Sequence, residues 1–131
     1  MGDIVFARSG VSIGRCALVE ADIPCIFGSF IIKFQLDQRK INNKFFLYLM
    51  KLPIMQIKLK KFTHGSANPN INAENIKNVE VILPPLPLQQ EFARIVEQVE
   101  ALRERQRQSA GEINLLFEGL MQKAFTGELV A

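Results

Sequence analysis

The side chains most able to do chemistry in this sequence are cations and short polar groups, and they recur at two places. Arg8 and Arg15 flank a glycine-bounded turn, and the lysine-rich run KLKK precedes the polar loop THGSANPN. Arginine binds phosphates and base edges with two parallel hydrogen bonds, whereas lysine and small polar groups supply charge and single contacts. The pattern therefore favours a polyanion as ligand. The candidate contacts are Arg8, Ser9, Arg15, Lys58, Lys60, Lys61, His64, Ser66, Asn68 and Asn70.

A plainer explanation of the same residues stays open. Exposed lysines on a helix are commonly just solvated, and the ANPN stretch is also typical of a turn. His64 has no ligand or nucleophile partner at a recognisable spacing, which favours an exposed loop histidine over a catalytic one. The aromatic residues are ten Phe and one Tyr without Trp, which argues for contact with a duplex over stacking on single strands.

The charge of the chain is unevenly distributed. Residues 1–83 contain 11 Lys and Arg against 6 Asp and Glu, whereas residues 84–131 contain 5 against 7. Such a division suggests a polyanion partner for the first part and a protein partner for the second.

Motifs for catalysis are missing from the sequence. It has no Asn/Asp-Pro-Pro-aromatic run for methylating a flipped base and no glycine fingerprint for S-adenosylmethionine, and GVSIGR lacks the Lys-Ser/Thr of a P-loop. Cys16 and Cys25 have no His, Cys or carboxylate at ligand spacing, so we expect reduced core residues. We therefore predict no enzymatic activity, cofactor or metal.

Length and composition indicate one ordinary globular domain. The chain has 131 residues, of which 48% are hydrophobic and 22% charged. No run approaches the roughly 20 apolar residues of a membrane span, and the first residues lack an export signal. We expect a cytoplasmic protein without a membrane partner.

The candidate contacts need short strands and helices to position them. DIVFARS and RCALVE predict a hairpin, in which Gly10 and Gly14 supply the positive φ of the connection. CIFGSFIIKFQL alternates as a third strand, with Phe30, Ile32 and Phe34 on its apolar face. VEVILP predicts a strand that closes the domain.

Three helical segments are predicted between the strands. NNKFFLYLMKL begins with a capping Asn42 and is interrupted by Pro53, after which IMQIKLKKF predicts a second helix. INAENIKN predicts a short helical turn capped by Asn72. The core face of the second helix is predicted to hold Met55, Leu59 and Phe62.

A long helix with one apolar stripe is predicted from about residue 88 to 124. At about 1.5 Å per residue it measures roughly 54 Å, more than a small domain can cover. We infer that it packs against an equivalent helix of another chain or of a larger protein. The alternative is a helix that folds back on its own domain, with or without a break at Gly111. The stripe comprises Phe92, Ile95, Val99, Leu102, Gln106, Ile113, Leu116 and Leu120, with Ser109 joining Gln106 in a polar middle layer.

Three stretches resemble the specificity subunit of type I restriction-modification systems. They are GDIVFARSGVSIGRCALV, HGSANPNINAENIKNVEVILPPLPLQQEFARIV and LFEGLMQKAFTGEL, which follow in the expected order over almost the whole chain. The resemblance implies mixed α/β target recognition domains that each read half of a split DNA sequence. It also implies long helices that pair antiparallel and dock the methylation subunits, which supply the S-adenosylmethionine chemistry.

The resulting prediction is an α+β fold with antiparallel strands, followed by a long C-terminal coiled-coil helix. Residues 1–86 form a partial target recognition domain, and residues 87–131 form the helix for dimerisation and subunit docking. The expected partners are double-stranded DNA, the methylation subunits, indirectly the restriction subunits, and a second copy of the chain.

The chain departs from the family pattern, because it has one recognition region and that region begins well inside the domain. A shortened gene product, a fragment and a half-subunit that dimerises are all compatible with the sequence. The rival hypothesis is an oligomerisation or regulatory module of the same complex that binds no DNA. An ordinary small enzyme would require a polar cleft that the sequence does not indicate.

Overall fold

The computed structural model describes residues 2–22, 24, 26, 28–63, 67 and 69–127. The chain divides into two units, Met1–Ala93 and Arg94–Ala131. The first unit contains three strands, three short helices and the start of the long helix, and the second continues that helix. The predicted α+β class with antiparallel strands and a long C-terminal helix is confirmed.

The first unit contains a three-stranded antiparallel sheet. Its strands are β1 (Ile4–Ala7), β2 (Cys16–Leu18) and β3 (Ile31–Phe34), in the order β2-β1-β3. Ile4 and Phe6 on the central strand have 0% exposure because their side chains lie in the core. The predicted hairpin is confirmed, whereas β3 is shorter than the alternating sequence suggested. Phe30 lies outside it and is 68% exposed, so its predicted place on the apolar face is wrong.

The hairpin turn depends on its two glycines. Gly10 has φ 77° and Gly14 has φ 86°, as the sequence predicted, and side chains other than glycine rarely adopt these values. A Cβ added at Gly14 would lie 2.8 Å from Oε1 of Gln56, so the Gln56 side chain would have to shift. The Gln56 amide Nε2 donates to the Gly14 carbonyl (3.2 Å) and to the Met50 carbonyl (2.7 Å). Gln56 thus holds the turn against the helices.

Four α-helices follow: α1 (Asn43–Lys51), α2 (Pro53–Lys60), α3 (Ala73–Lys77) and α4 (Leu86–Thr126). Two predicted caps are confirmed. Oδ1 of Asn42 accepts from the Phe45 amide at 3.0 Å, and Oδ1 of Asn72 accepts from the Asn75 amide at 2.8 Å. Each cap satisfies an amide that has no partner within its own helix.

The core face of α2 is confirmed at Met55 and Leu59, which are both buried. Phe62 is wrong as a core residue, because its side chain is exposed. The reason is local: α2 ends at Lys60 and the chain continues as a 3-10 turn over Lys61–Thr63. A 3-10 turn rotates each residue further than an α-helix does, so Phe62 leaves the buried face.

The predicted closing strand, VEVILP, is also wrong, since residues 79–83 have no strand structure. The side chains of Val79 and Val81 still pack against the core, which explains the alternating sequence. The segment has no strand partner in the described sheet. One of its carbonyls, that of Glu80, instead accepts a hydrogen bond from Nζ of Lys58 at 2.8 Å.

Gln89 fixes the beginning of α4. Its side chain has 0% exposure, and its Oε1 accepts from the Asn42 amide at 2.8 Å. Its Nε2 donates to the carbonyls of Lys40 (3.1 Å) and Pro84 (2.8 Å). One buried amide therefore joins the first turn of α4 to the cap of α1 and satisfies three backbone groups.

Within the second unit, the helix runs without interruption from Arg94 to Thr126. The helix continues through Gly111, so the break that the sequence allowed there is absent. At about 1.5 Å per residue the whole of α4 measures roughly 60 Å. Among the residues that the structure describes, no helix has both the length and the apolar character needed to cross a membrane.

Candidate nucleic-acid interface

Arg8 lies just beyond β1, and its backbone is held on both sides. Its amide donates to the Phe30 carbonyl at 3.0 Å, and its carbonyl accepts from the Ile71 amide at 2.8 Å. Ile71 is itself anchored, because its side chain is buried in the core. The structure thus brings together three segments that are far apart in the sequence.

The guanidinium of Arg8 is held as well. Its Nε donates to Oδ1 of Asn70 at 2.9 Å, and Ser9 forms an isolated antiparallel bridge with Asn70. These contacts lie in an open cleft of about 520 Å³. Three residues of the predicted set, Arg8, Ser9 and Asn70, therefore share one site. The cleft is lined by Arg8, Ser9, Gly10, Ser29, Phe30, Pro69 and Asn70.

Ser9 has an unusual hydroxyl. Its Oγ is buried and has no hydrogen-bond partner within the described part of the chain. A buried hydroxyl without a partner is unfavourable, and such groups are uncommon in folded proteins.

Arg15 lies on the other arm of the hairpin turn and is exposed. It lines a second cleft, of about 380 Å³, together with Lys51 and Gln56. The Lys51 ammonium lies 4.8 Å from the centroid of the Tyr48 ring, within the range of a cation–π contact. Two cations therefore meet at this cleft. Sequence analysis missed Lys51, although its place in the last turn of α1 was a usable signal.

The three predicted lysines of the α2 region differ in their surroundings. Lys58 is half-buried and donates to the Glu80 carbonyl, so part of its role is structural. Lys60 and Lys61 are exposed at the end of α2 and the start of the 3-10 turn. The remaining predicted contacts, His64, Ser66 and Asn68, lie outside the described residues, as does Cys25.

The described residues contain no group of three or more His, Cys, Asp or Glu that could hold a metal ion. Cys16 has a free thiol, and burial raises its pKa to about 12. The thiol is therefore protonated at neutral pH and is a poor nucleophile. Hydrogen bonds from Lys33 and Gln35 lower the pKa of Asp3, whose carboxylate lies 2.7 Å from the Lys33 ammonium.

The apolar stripe of α4 is exposed in the second unit. Six of its predicted members are between 41% and 65% exposed, and Gln106 and Ser109 are exposed too. The stripe residue Phe92 belongs to the first unit. Its ring packs edge-on against Phe45 (5.7 Å) and Tyr48 (5.9 Å). The six exposed members are Ile95, Val99, Leu102, Ile113, Leu116 and Leu120.

The last turns of α4 carry further apolar side chains that sequence analysis did not select. They widen the apolar surface well beyond the narrow stripe, because they lie on other faces of the helix at 100° per residue. A search for apolar residues outside the heptad register would have found them. They are Leu115, Phe117, Met121 and Phe125, all of them exposed.

Comparisons with known proteins agree on one family. The family model described as "Type I restriction modification DNA specificity domain" matches residues 1–114. The StySPI specificity subunit of Salmonella potsdam is 32% identical over 110 residues, which is 80% of this chain and 24% of that protein. The EcoBI specificity subunit of Escherichia coli is 27% identical, over 92% of this chain and 26% of that protein. This chain thus spans about a quarter of these relatives.

A solved structure shows the same fold. It comes from work on complex assembly and conformational transition of the type I R-M system, and one of its chains aligns with a TM-score of 0.61 and 28% identity. The alignment covers 95% of this chain and 32% of that one. The family model covers most of the chain, including the target recognition region and much of the helix that follows it. The chain therefore belongs to the type I restriction-modification DNA specificity domain family.

Proposed function

We propose that this chain recognises the sequence of double-stranded DNA within a type I restriction-modification system, and that partner subunits supply the methylation chemistry. The observation that carries the proposal is the cleft beside β1, in which Asn70 holds the Arg8 guanidinium. An arginine at an open cleft can make a two-pronged contact with a phosphate or a guanine edge. Residues 1–86 supply the recognition surface, and residues 87–131 supply the pairing and docking helix.

Charge supports DNA as the ligand. Lys60 and Lys61 add two exposed cations near the end of α2. They belong to residues 1–83, in which Lys and Arg outnumber Asp and Glu by five. Each phosphate that a cation neutralises releases counterions, so the affinity should fall steeply with salt. The second cleft, with Arg15 and Lys51, offers two more cations for phosphate contact.

Duplex binding tests the proposal. The probe is a labelled pool of duplexes with randomised sequence, measured by fluorescence anisotropy over a range of salt concentrations. We expect binding at low salt, and we expect K60Q/K61Q to reduce the slope of log affinity against log salt by up to about two. Lys58 is left unchanged because it holds the Glu80 carbonyl.

The control is R39Q/K40Q, which removes the same number of charges from residues outside the predicted set of DNA contacts. It should change the slope less than K60Q/K61Q does. Equal slopes for the two variants would refute the role of Lys60 and Lys61. If the unaltered chain binds no duplex at low salt, DNA recognition by this chain is refuted and the rival, a non-binding oligomerisation module, is favoured.

We also propose that α4 pairs with α4 of a second copy in antiparallel orientation. The exposed part of the stripe, from Ile95 to Leu120, is symmetric about a point between Gln106 and Ser109, with three apolar residues on each side. A twofold axis at that point places apolar against apolar throughout and leaves one polar layer in the middle, which fixes the register. The facing pairs are Ile95 with Leu120, Val99 with Leu116, Leu102 with Ile113, and Gln106 with Ser109.

Mass measurement in solution tests the pairing. We expect the mass of two chains, and we expect L102E to give the mass of one because it buries a charge in the stripe. Leu115→Glu is the control, since Leu115 is also exposed but lies off the stripe. A single-chain mass for the unaltered protein at micromolar concentration would refute the pairing.

Orientation is tested by cross-linking in a C16S/C25S background. Antiparallel pairing predicts that L102C and I113C proteins cross-link when they are mixed and not when either is alone. Cross-linking of L102C with itself would indicate a parallel pair instead.

The wider apolar end of α4 is proposed to dock a methylation subunit. Leu115 and Phe125 lie off the pairing stripe, so a paired α4 would still present them to another protein. The double variant L115Q/F125Q should stay paired by mass yet bind the purified methylation subunit of its system more weakly. Unchanged capture of that subunit would refute docking at this end.

A further inference from the structure

Asn70 is better placed to hold Arg8 than to contact a ligand by itself. The sequence suggests Asn70 as one of several polar contacts, but in the structure its Oδ1 already accepts from Nε of Arg8 at 2.9 Å. That hydrogen bond joins residues 62 apart in the sequence. It therefore depends on the tertiary fold.

The backbone around both residues is fixed. The Ser9–Asn70 bridge and the hydrogen bond from the Ile71 amide to the Arg8 carbonyl join the two segments side by side. Buried Ile71 anchors one of them, and Pro69 fixes its own φ on the other side of Asn70. The backbone that carries the Asn70 side-chain amide is thus held beside Arg8.

The geometry also determines which edge of the guanidinium remains for a ligand. Arginine has five N–H donors in a planar fork, and Asn70 occupies the one on Nε. Within the described residues the guanidinium makes no other hydrogen bond. The two Nη groups are left to bind end-on, which suits a phosphate or the O6 and N7 atoms of guanine.

We infer that Asn70 is a positioning residue, which orients the Arg8 guanidinium so that its Nη edge makes the two-pronged contact with DNA. The inference rests on the proposed function, and it assigns to Asn70 a role that acts through Arg8. Fixing a flexible side chain before binding removes part of the entropy cost of association. Loss of Asn70 should therefore weaken binding while the charge of Arg8 is retained.

A double-mutant cycle tests this inference with R8A, N70A and R8A/N70A, using duplexes selected from the randomised pool. We expect R8A to weaken binding by about tenfold or more. We expect N70A to weaken it by about three- to tenfold in the unaltered background and not at all in the R8A background. R39A and N78A are the controls, since they remove the same residue types elsewhere on the first unit.

A second readout separates positioning from general damage to the fold. R8A should reduce the slope of log affinity against log salt by about one if the ligand atom is a phosphate, and should leave it unchanged if the contact is to guanine. N70A should leave the slope unchanged in either case, because the cation remains. A lower slope in N70A together with a lower unfolding temperature would indicate a structural role and overturn the inference.

The remaining outcomes are also decisive. If the losses from R8A and N70A are additive, Asn70 contacts DNA directly, which overturns the inference while DNA recognition stands. If the unaltered chain binds none of the duplexes, the proposed function fails and the inference fails with it.

Discussion

The two units of this chain use apolar side chains in opposite ways. In Met1–Ala93 apolar residues such as Phe6 and Leu59 are buried in a core, although others, including Phe30, are exposed. In Arg94–Ala131 residues such as Leu116 and Phe125 are exposed on a continuous helix. Burial within one chain contributes to folding, whereas an exposed apolar surface on a helix is typical of association. The comparison teaches that apolar side chains stabilise the first unit from within, whereas in the second unit they form an exposed surface.

The largest expected effect is the loss of a core aromatic ring. Phe6 has 0% exposure, so F6A should reduce the free energy of unfolding by about 3–5 kcal/mol, through lost burial and the cavity that remains. Phe125 is 83% exposed, so F125A should change it by less than about 0.5 kcal/mol. Denaturant unfolding followed by circular dichroism measures both. Similar losses for the two variants would break the comparison between the units.

The next effect concerns the buried amide at the start of α4. Q89A removes the partners of one backbone amide and two carbonyls, so it should reduce the free energy of unfolding by about 2–4 kcal/mol. The neighbouring Gln90 is exposed, and Q90A should cost less than about 0.5 kcal/mol. The same unfolding measurement applies. A small effect of Q89A would mean that water replaces Gln89 at little cost.

Substitution of two glycines by alanine should change the stability of the protein in opposite directions. G14A should destabilise the first unit by about 1 kcal/mol or more, because Gly14 has positive φ and its Cβ would meet Gln56. G111A should stabilise α4 by about 0.5–1 kcal/mol, because Gly111 lies within the helix and a Cβ there would meet open space. Thermal unfolding by circular dichroism checks both signs. Destabilisation by G111A would indicate that the helix needs local freedom there.

The smallest effect is a dependence of stability on acid. Hydrogen bonds from Lys33 and Gln35 lower the pKa of Asp3 below its ordinary value of 3.8. The unfolded chain therefore binds the proton more readily, so this contribution is present above pH 3.8 and is lost as the pH falls through the folded pKa. D3N should show a smaller loss of stability on acidification than the unaltered chain. D22N, at an exposed aspartate, is the control.

Features that depend on neighbours in the sequence were predicted well. The turn glycines Gly10 and Gly14, and the caps Asn42 and Asn72, follow from backbone rules that act over a few residues. The long α4 was also predictable, because apolar residues with a period of 3.5 indicate a helix without reference to distant partners. Its ends were misplaced by only two residues on each side, as residues 88–124 were predicted and Leu86–Thr126 observed.

Features that depend on distant partners were missed. Residues 79–83 alternate as a strand does, yet a strand also needs a neighbour to complete its ladder. The Arg8–Asn70 contact joins segments that only the fold brings together, so the sequence could suggest both residues without their relation. Gln89 looked like an ordinary polar residue after a proline-rich stretch, because its burial depends on α1.

Because Gln89 makes three hydrogen bonds, hydrogen exchange at the Asn42 amide can measure local unfolding at the start of α4. The Asn42 proton that Gln89 accepts is shielded from solvent exchange only while the first turn of α4 stays attached. Deuterium uptake at this single amide should therefore report how often the first turn of α4 separates from the cap of α1. Slower uptake in the paired or DNA-bound protein would show that assembly stabilises this contact between two residues 47 apart in the sequence.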